Sequence, residues 1–209
     1  MRTRTRHQTD PHQAAPVGTR ERIIRAASSL MQRQGYDGTG IKQISQEADA
    51  TLGSVYHFFP GGKQELAVAA VHRGDEEFAD LLREILGAEP DPAQALVDCA
   101  RSLAEGLRES DWSDGCPVTA TALGTAHRFP DIQRAAADAF ARWRGLVREH
   151  LQAAGMAEDV AGDLATTVIS TLEGAELAAQ VARDEKPLLL AGRHLAQLIH
   201  LHQGGASTV

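Results

Sequence analysis

Apolar residues recur at three- and four-residue steps along almost the whole chain, whereas no stretch of four or more residues alternates convincingly between apolar and polar. The first spacing places apolar side chains on one face of an α-helix, and the second is what a half-buried strand needs. The sequence therefore predicts an all-α protein of about nine helices.

Capping residues and helix breakers divide this pattern into segments. Thr19 is placed to cap the first helix, Gly35 to end it and Thr51 to cap the third. Asp91 is a cap ahead of Pro92, which suits the first position of a helix. The predicted helices cover residues 19–34, 41–48, 52–58, 63–86, 93–109, 118–126, 130–154, 158–184 and 187–202.

The formal net charge of −7 hides an uneven distribution. Residues 1–63 contain nine Lys and Arg against five Asp and Glu, whereas residues 64–209 contain twelve against twenty-three. A basic segment followed by an acidic one predicts two different partners, with phosphate groups as one of them.

Neither membrane spans nor secretion are predicted. Every apolar run ends well before about 18 residues, and the arginines of residues 1–18 are not followed by an apolar stretch. Cys99 and Cys116 are too few for a disulfide framework and lack the paired spacing of a zinc site. We therefore expect a cytoplasmic protein with reduced thiols and predict no cofactor and no metal.

The most informative pattern lies in residues 41–59, where two predicted helices are too short to be stable alone and must be held together by packing. Helix-turn-helix units are built in this way. Asp49 falls at the sharp turn, where a positive φ is expected, and Val55 and Phe59 are expected to pack inward. Small or polar residues remain at the outer N-terminal end of the second helix, as entry into a DNA major groove requires.

Three segments resemble the N-terminal domain of the tetracycline-repressor (TetR) family over about residues 19–75. They are GYDGTGIKQIS at 35–45, ADATLGSVYHFF at 48–59 and KQEL at 63–66. The Pro-Gly-Gly before Lys63 and DGCPV at 114–118 resemble the LmrA/YxaF-like branch. The resemblance implies a homodimeric transcriptional regulator, usually a repressor, which a small effector releases from its operator.

The resemblance also implies a division of the chain and a set of DNA contacts. The predicted parts are a disordered basic arm at 1–18, a helix-turn-helix domain at 19–77 with the motif at about 40–59, an effector-binding and dimerisation domain at 78–203, and a tail at 204–209. Positions near bases or the adjacent backbone are Lys42, Leu52, Gly53, Ser54 and Tyr56; positions that hold phosphates are Thr39, Gly40, Thr51, Tyr56, His57 and Lys63. For Tyr56 the alternative is a half-buried spacer between helices.

Some positions depart from the family pattern. Phe58 stands where many members have a histidine, and Asp49 where many have a glycine. Gly61-Gly62 lengthens the loop by one residue, and Gly40 replaces the usual Ser or Thr cap. Because Leu52 and Gly53 cannot make bidentate base contacts, direct readout is expected to rest mainly on Lys42, Ser54 and Tyr56.

The last two helices have broad apolar faces with small residues, and we expect them to form a four-helix interface with a second chain. An ordinary intramolecular core is the alternative. The effector pocket is predicted from apolar walls and two polar groups, with core packing as the alternative for each residue: Leu103, Trp112, Cys116, Leu123, His127, Phe140, Trp143, Val147, Val168 and Glu173.

The predicted function is therefore that of a DNA-binding regulator released from a palindromic operator by a small apolar or amphipathic effector. A ligand-independent DNA-binding protein is the alternative. An enzyme is not predicted, because the sequence contains no GxSxG, HExxH or phosphate-loop pattern. A redox role for Cys116 would need a lowered thiol pKa, and no basic residue stands beside it in the sequence.

Overall fold

The computed structural model describes residues 17–205, and this part of the chain is all-α, as predicted. The predicted basic arm therefore lies almost wholly outside the described residues, as do the last four residues of the tail. Within the described range the nine helices are α1 (Thr19–Gly38), α2 (Ile41–Glu47), α3 (Leu52–Phe58), α4 (Gly62–Ala88), α5 (Pro92–Glu109), α6 (Pro117–Leu123), α7 (Pro130–Ala153), α8 (Glu158–Ala182) and α9 (Lys186–Gly205).

Most helix ends follow the local signals. Gly35 interrupts α1 with a φ of 69°, a conformation that glycine adopts without steric cost, so the predicted stop is present as a kink before one more turn. The Asp91 side chain accepts a hydrogen bond from Ala93 N–H at 3.1 Å. The Thr19 prediction is wrong: Gly18 occupies the cap position, and no side chain caps this helix.

The long helix α4 connects the two ends of the molecule. It has 27 residues, which corresponds to roughly 40 Å at 1.5 Å per residue. It packs against α1, α5, α6 and α7. Because α1 also packs against α2, α3 and α6, the N-terminal helices are joined to the C-terminal bundle along α4 and α6.

The C-terminal helices form a bundle in which α5 packs on α9, α7 on α4 and α8, and α8 on α9. Trp143 is fully buried there and lies between the rings of Phe78 and Phe140, with centroid separations of 4.8 and 4.9 Å. Gly192 lets α9 approach α5, because a Cβ at this position would lie 2.7 Å from the Cβ of Ala100. Gly192 is one of the small residues on the last two helices, and at this position the lack of a side chain serves packing within the chain, which was the alternative to the interface with a second chain.

No helix between residues 17 and 205 is both long enough and apolar enough to cross a membrane.

We expect Leu82→Ala to lower the free energy of unfolding by about 2–5 kcal/mol, because the Leu82 side chain of α4 is fully buried and its removal leaves a cavity. The matched control is Leu123→Ala at a side chain that is 70% exposed, with an expected change within about 0.5 kcal/mol. Urea denaturation followed by circular dichroism measures both. Equal losses in the two variants would contradict the assigned core.

Candidate nucleic-acid interface and effector cavity

The helices α2 and α3 form a helix-turn-helix, and the Thr51 side chain caps the start of α3. The Thr51 hydroxyl accepts a hydrogen bond from Ser54 N–H at 3.0 Å and is 2.9 Å from the Ser54 hydroxyl. Asp49 has a φ of 47°, as its place in the turn predicts. Ile44 of α2 and Val55 of α3 are fully buried in the common core, so the relative orientation of the two helices is set by packing.

Arg22 of α1 holds this turn in place. Its guanidinium donates to the carbonyl oxygens of Ala48 at 3.0 Å and Asp49 at 3.1 Å, and to that of Val17 at 3.2 Å. The carbonyls of Ala48 and Asp49 lie at the C-terminal end of α2, where no further helical partner is available. The sequence shows Arg22 only as one of the basic residues of the N-terminal segment. Its hydrogen bonds show that it positions the turn between α2 and α3.

The outer face of α3 is open to solvent. Leu52 is 43% exposed and Tyr56 is 51% exposed, and Thr51, Gly53 and His57 are also exposed. Lys42 is exposed on α2, and Gly40 is exposed at the start of that helix, where no side chain caps it. A short helix that presents small and polar side chains in this way fits the major groove of DNA.

The remaining predicted DNA contacts are more enclosed. Thr39 is buried, and its hydroxyl already donates to the Gly35 carbonyl oxygen at 2.8 Å. Lys63 is half-buried, with its ammonium nitrogen 4.3 Å from the centre of the Tyr36 ring. Burial lowers the pKa of Lys63, an effect that Asp37 opposes and Arg128 reinforces. Ser54 is half-buried beside Thr51.

A cavity of about 320 Å³ lies between α4, α5, α8 and the segment that precedes α6. Its volume falls in the range of small-molecule sites. Of the predicted pocket residues, Leu103 and Cys116 line it; Phe78, Leu81, Leu107 and Glu176 were not predicted and line it as well.

The other predicted pocket residues have different places. Phe140, Trp143, Val147 and Val168 belong to the core, and Trp112 packs against a small cluster that includes Leu107 and Leu188. Glu173 lies behind the cavity wall. Leu123 and His127 do not line the cavity; α6 ends at Leu123, and both side chains are exposed.

Cys116 and two acidic residues lie close together next to the cavity. The Cys116 sulfur and carboxylate oxygens of Glu173 and Glu176 lie within 4.8 Å of one another, and Glu173 accepts a hydrogen bond from the Thr119 hydroxyl at 2.6 Å. Burial, together with the two carboxylates, raises the pKa of the Cys116 thiol well above its usual range. A redox-sensing cysteine needs the opposite shift.

Comparison with known proteins gives this geometry a family. The family model for bacterial regulatory proteins of the tetR family matches residues 23–70, and that for the C-terminal domain of LmrA/YxaF-like transcriptional regulators matches residues 92–194. The HTH-type transcriptional regulator YxaF of Bacillus subtilis (strain 168) is 33% identical over 87% of this chain and 95% of its own length. The chain belongs to the TetR family. As a TetR-family protein it is a transcriptional regulator and not an enzyme.

Further relatives and solved structures agree with this assignment. The HTH-type transcriptional regulator LmrA of Bacillus subtilis (strain 168) is 33% identical over 82% of this TetR-family chain and 91% of its own length. A crystal structure of a TetR transcriptional regulator from Legionella pneumophila superposes with a TM-score of 0.79 at 22% identity, covering 88% of this chain and 99% of the other. One from Chloroflexus aurantiacus J-10-FL has a TM-score of 0.73 at 30% identity, with 87% and 94% covered.

We expect Thr51→Ala to lower the free energy of unfolding by about 0.5–2 kcal/mol and to speed amide exchange at Ser54, because the N-cap hydrogen bond of α3 is lost. The matched control, Thr51→Ser, retains the hydroxyl and should change both quantities little. Denaturant unfolding and hydrogen exchange followed by mass spectrometry measure the effect. If Thr51→Ala left exchange in α3 unchanged, the cap would not stabilise the helix.

Proposed function

We propose that this TetR-family regulator is a cytoplasmic repressor that binds a palindromic operator as a homodimer and is released when a small apolar or amphipathic effector occupies the cavity. Two connected features support this proposal. Helices α1 to α3, which we call the head, expose α3 to solvent, and the wall of the cavity in the C-terminal bundle contacts α1 of this head. A cavity of this kind also favours ligand control over ligand-independent DNA binding.

The proposed DNA contacts are those on the open outer face. Lys42, Leu52, Gly53 and Tyr56 are placed to approach bases, and Thr51 and His57 are placed near the backbone phosphates. Ser54 and Thr39 also make hydrogen bonds within the head, to Thr51 and to the Gly35 carbonyl oxygen. We propose that they contact DNA as well, Ser54 near bases and Thr39 near a phosphate. Gly40 and Lys63 lie at helix starts, where free N–H groups favour a phosphate.

Dimer formation through α8 and α9 is supported by apolar side chains that these helices leave uncovered. On α8, Leu177 is 53% exposed and Val181 is 79% exposed; on α9, Leu189 and Leu201 are exposed. Exposed apolar groups on two neighbouring helices mark an interaction surface. A symmetric pairing of these surfaces would place the two heads on one side of the dimer. The two α3 helices could then enter two successive major grooves, about one helical turn apart.

Contacts between the cavity wall and α1 supply a route for release. Arg33 of α1 binds Asp114 with two hydrogen bonds, of 2.6 and 3.2 Å, and the Gln32 amide donates to the Gly115 carbonyl oxygen at 2.5 Å. Asp111 and Trp112, just ahead, have φ values of 52° and 66°, a strained backbone for non-glycine residues. Movement of this segment on ligand binding would tilt α1, and with it the attached α2 and α3.

We expect Lys42→Ala to weaken operator binding about tenfold and to reduce the slope of log affinity against log salt by about one per subunit, because a cation is removed from the DNA-facing surface. The operator is selected by the wild-type protein from DNA flanking its own gene. The matched control is Lys186→Ala at the exposed start of α9. Fluorescence anisotropy at several salt concentrations measures both. Absence of salt-dependent binding by the wild type would refute the proposed function.

We expect Val181→Asp to shift the proposed dimer toward a species of 22.4 kDa, because a charge is placed in the proposed apolar interface. Leu123→Asp is the matched control on α6, where the side chain is also largely exposed. Size-exclusion chromatography with light scattering gives the masses. A dimer that persists in Val181→Asp and dissociates in Leu123→Asp would place the interface elsewhere.

A further inference from the structure

Glu176 is the least expected side chain of the cavity wall. It is only 8% exposed, its carboxylate lines the cavity, and no hydrogen-bond donor or basic group among residues 17–205 pairs with it. Removing a carboxylate from water without a partner is unfavourable, and proteins rarely retain such a group unless it is used. Glu176 therefore requires an explanation that the packing of the chain does not supply.

The ionisable side chains that line the cavity are all acidic. Glu77, Asp114 and Glu176 line it, whereas no Lys, Arg or His among the described residues does. Arg73 pairs with Glu77 and Arg33 pairs with Asp114, so these two carboxylates are already compensated. Glu176 is the acidic group of the wall that is left without a cation.

Glu173 strengthens this imbalance from behind the wall, one helical turn before Glu176 on α8. Burial, and to a lesser degree the Glu173 carboxylate, raise the pKa of Glu176 to about 8. A positive charge in the cavity would reverse both effects, because it would replace the lost hydration of Glu176 and screen it from Glu173.

The rest of the cavity is suited to an apolar body. Leu81, Leu103 and Leu107 line it, and the ring of Phe78 adds an aromatic surface that attracts cations as well as hydrocarbon. We propose that the cavity binds a lipophilic organic cation, with the Glu176 carboxylate paired to its ammonium group and its apolar body against Phe78, Leu81 and Leu107. This inference rests on the proposed function, in which the same cavity holds the effector.

A divalent metal ion is the competing occupant, since Cys116, Glu173 and Glu176 place three donor atoms within 4.8 Å. The cavity is much larger than an ion, however, and its remaining wall is mainly apolar. These features favour the organic cation.

The test uses benzyltrimethylammonium, whose charge does not change with pH, and its uncharged carbon isostere neopentylbenzene. Titration calorimetry on the full-length protein at pH 8.5 should show binding of the cation and weaker binding of the isostere. Glu176→Gln should weaken cation binding about ten- to a hundredfold and leave isostere binding unchanged. Glu77→Gln is the matched control: it removes the same charge from the same wall, at a carboxylate that Arg73 already neutralises, and should have a much smaller effect.

The pH profile gives a second readout that does not depend on a variant. Because the cation favours ionised Glu176, its affinity for the wild type should rise about tenfold per pH unit up to about pH 8 and level off above it. The other titratable groups facing Glu176 are Glu173 on α8, Glu77 on α4, and Asp114 and Cys116 ahead of α6. The residues of α1 and α5 that line the cavity carry no charge, and no residue of α7 or α9 lines it. The rise should disappear in Glu176→Gln.

Equal affinity for the cation and the isostere would overturn the proposal, as would cation binding that Glu176→Gln and Glu77→Gln reduce equally. Zn²⁺ binding that depends on Glu176, in a protein that does not bind the cation, would assign the site to a metal ion instead. Circular dichroism verifies that each variant is folded. Failure of this inference is distinguishable from failure of the proposed function. Salt-dependent operator binding without cation binding refutes only the inference, whereas cation binding by a protein that does not bind DNA refutes only the function.

Discussion

The DNA-facing surface depends on one constraint: α2 and α3 have only seven residues each, and helices of that length do not persist alone in water. Their geometry is imposed by burial of Ile44 and Val55 in the shared core and by Arg22, which joins α1 to the turn between them. The orientation of α3 is therefore set by its packing with α1. Any displacement of α1 is passed on to the surface that meets DNA.

The same coupling explains how a site in the bundle can act on the head. The segment from Asp114 to Pro117 forms part of the cavity wall and at the same time contacts Arg33 and Gln32 of α1. A second contact joins the head to the segment after α6, where Arg128 pairs with Asp37 and the rings of Tyr36 and Phe129 are 5.0 Å apart. Under the proposed function, an effector in this cavity would change the support of α1.

Local sequence signals predicted the helices well, because caps and breakers act over one or two turns. The bounds of α3 agree with the prediction at both ends, and Pro92 and Gly35 have the expected effects. Cavity residues were predicted less well. Leu123 has the apolar side chain and His127 the polar side chain that the prediction required. Both are exposed, however, at and after the end of α6. Glu176 was overlooked, since an acidic residue on a helix is ordinarily solvated.

The sequence by itself determined the all-α fold, the position of the helix-turn-helix and membership of the TetR family, because helical periodicity and motif spacing are properties of short segments. Tertiary structure alone decided which charged groups lose contact with water. Glu176 of α8 loses water because α4, α5 and the segment ahead of α6 meet around one cavity, whereas Glu77 is paired with Arg73 one turn away on its own helix. Desolvation depends on all of these neighbours at once, so no local pattern encodes it.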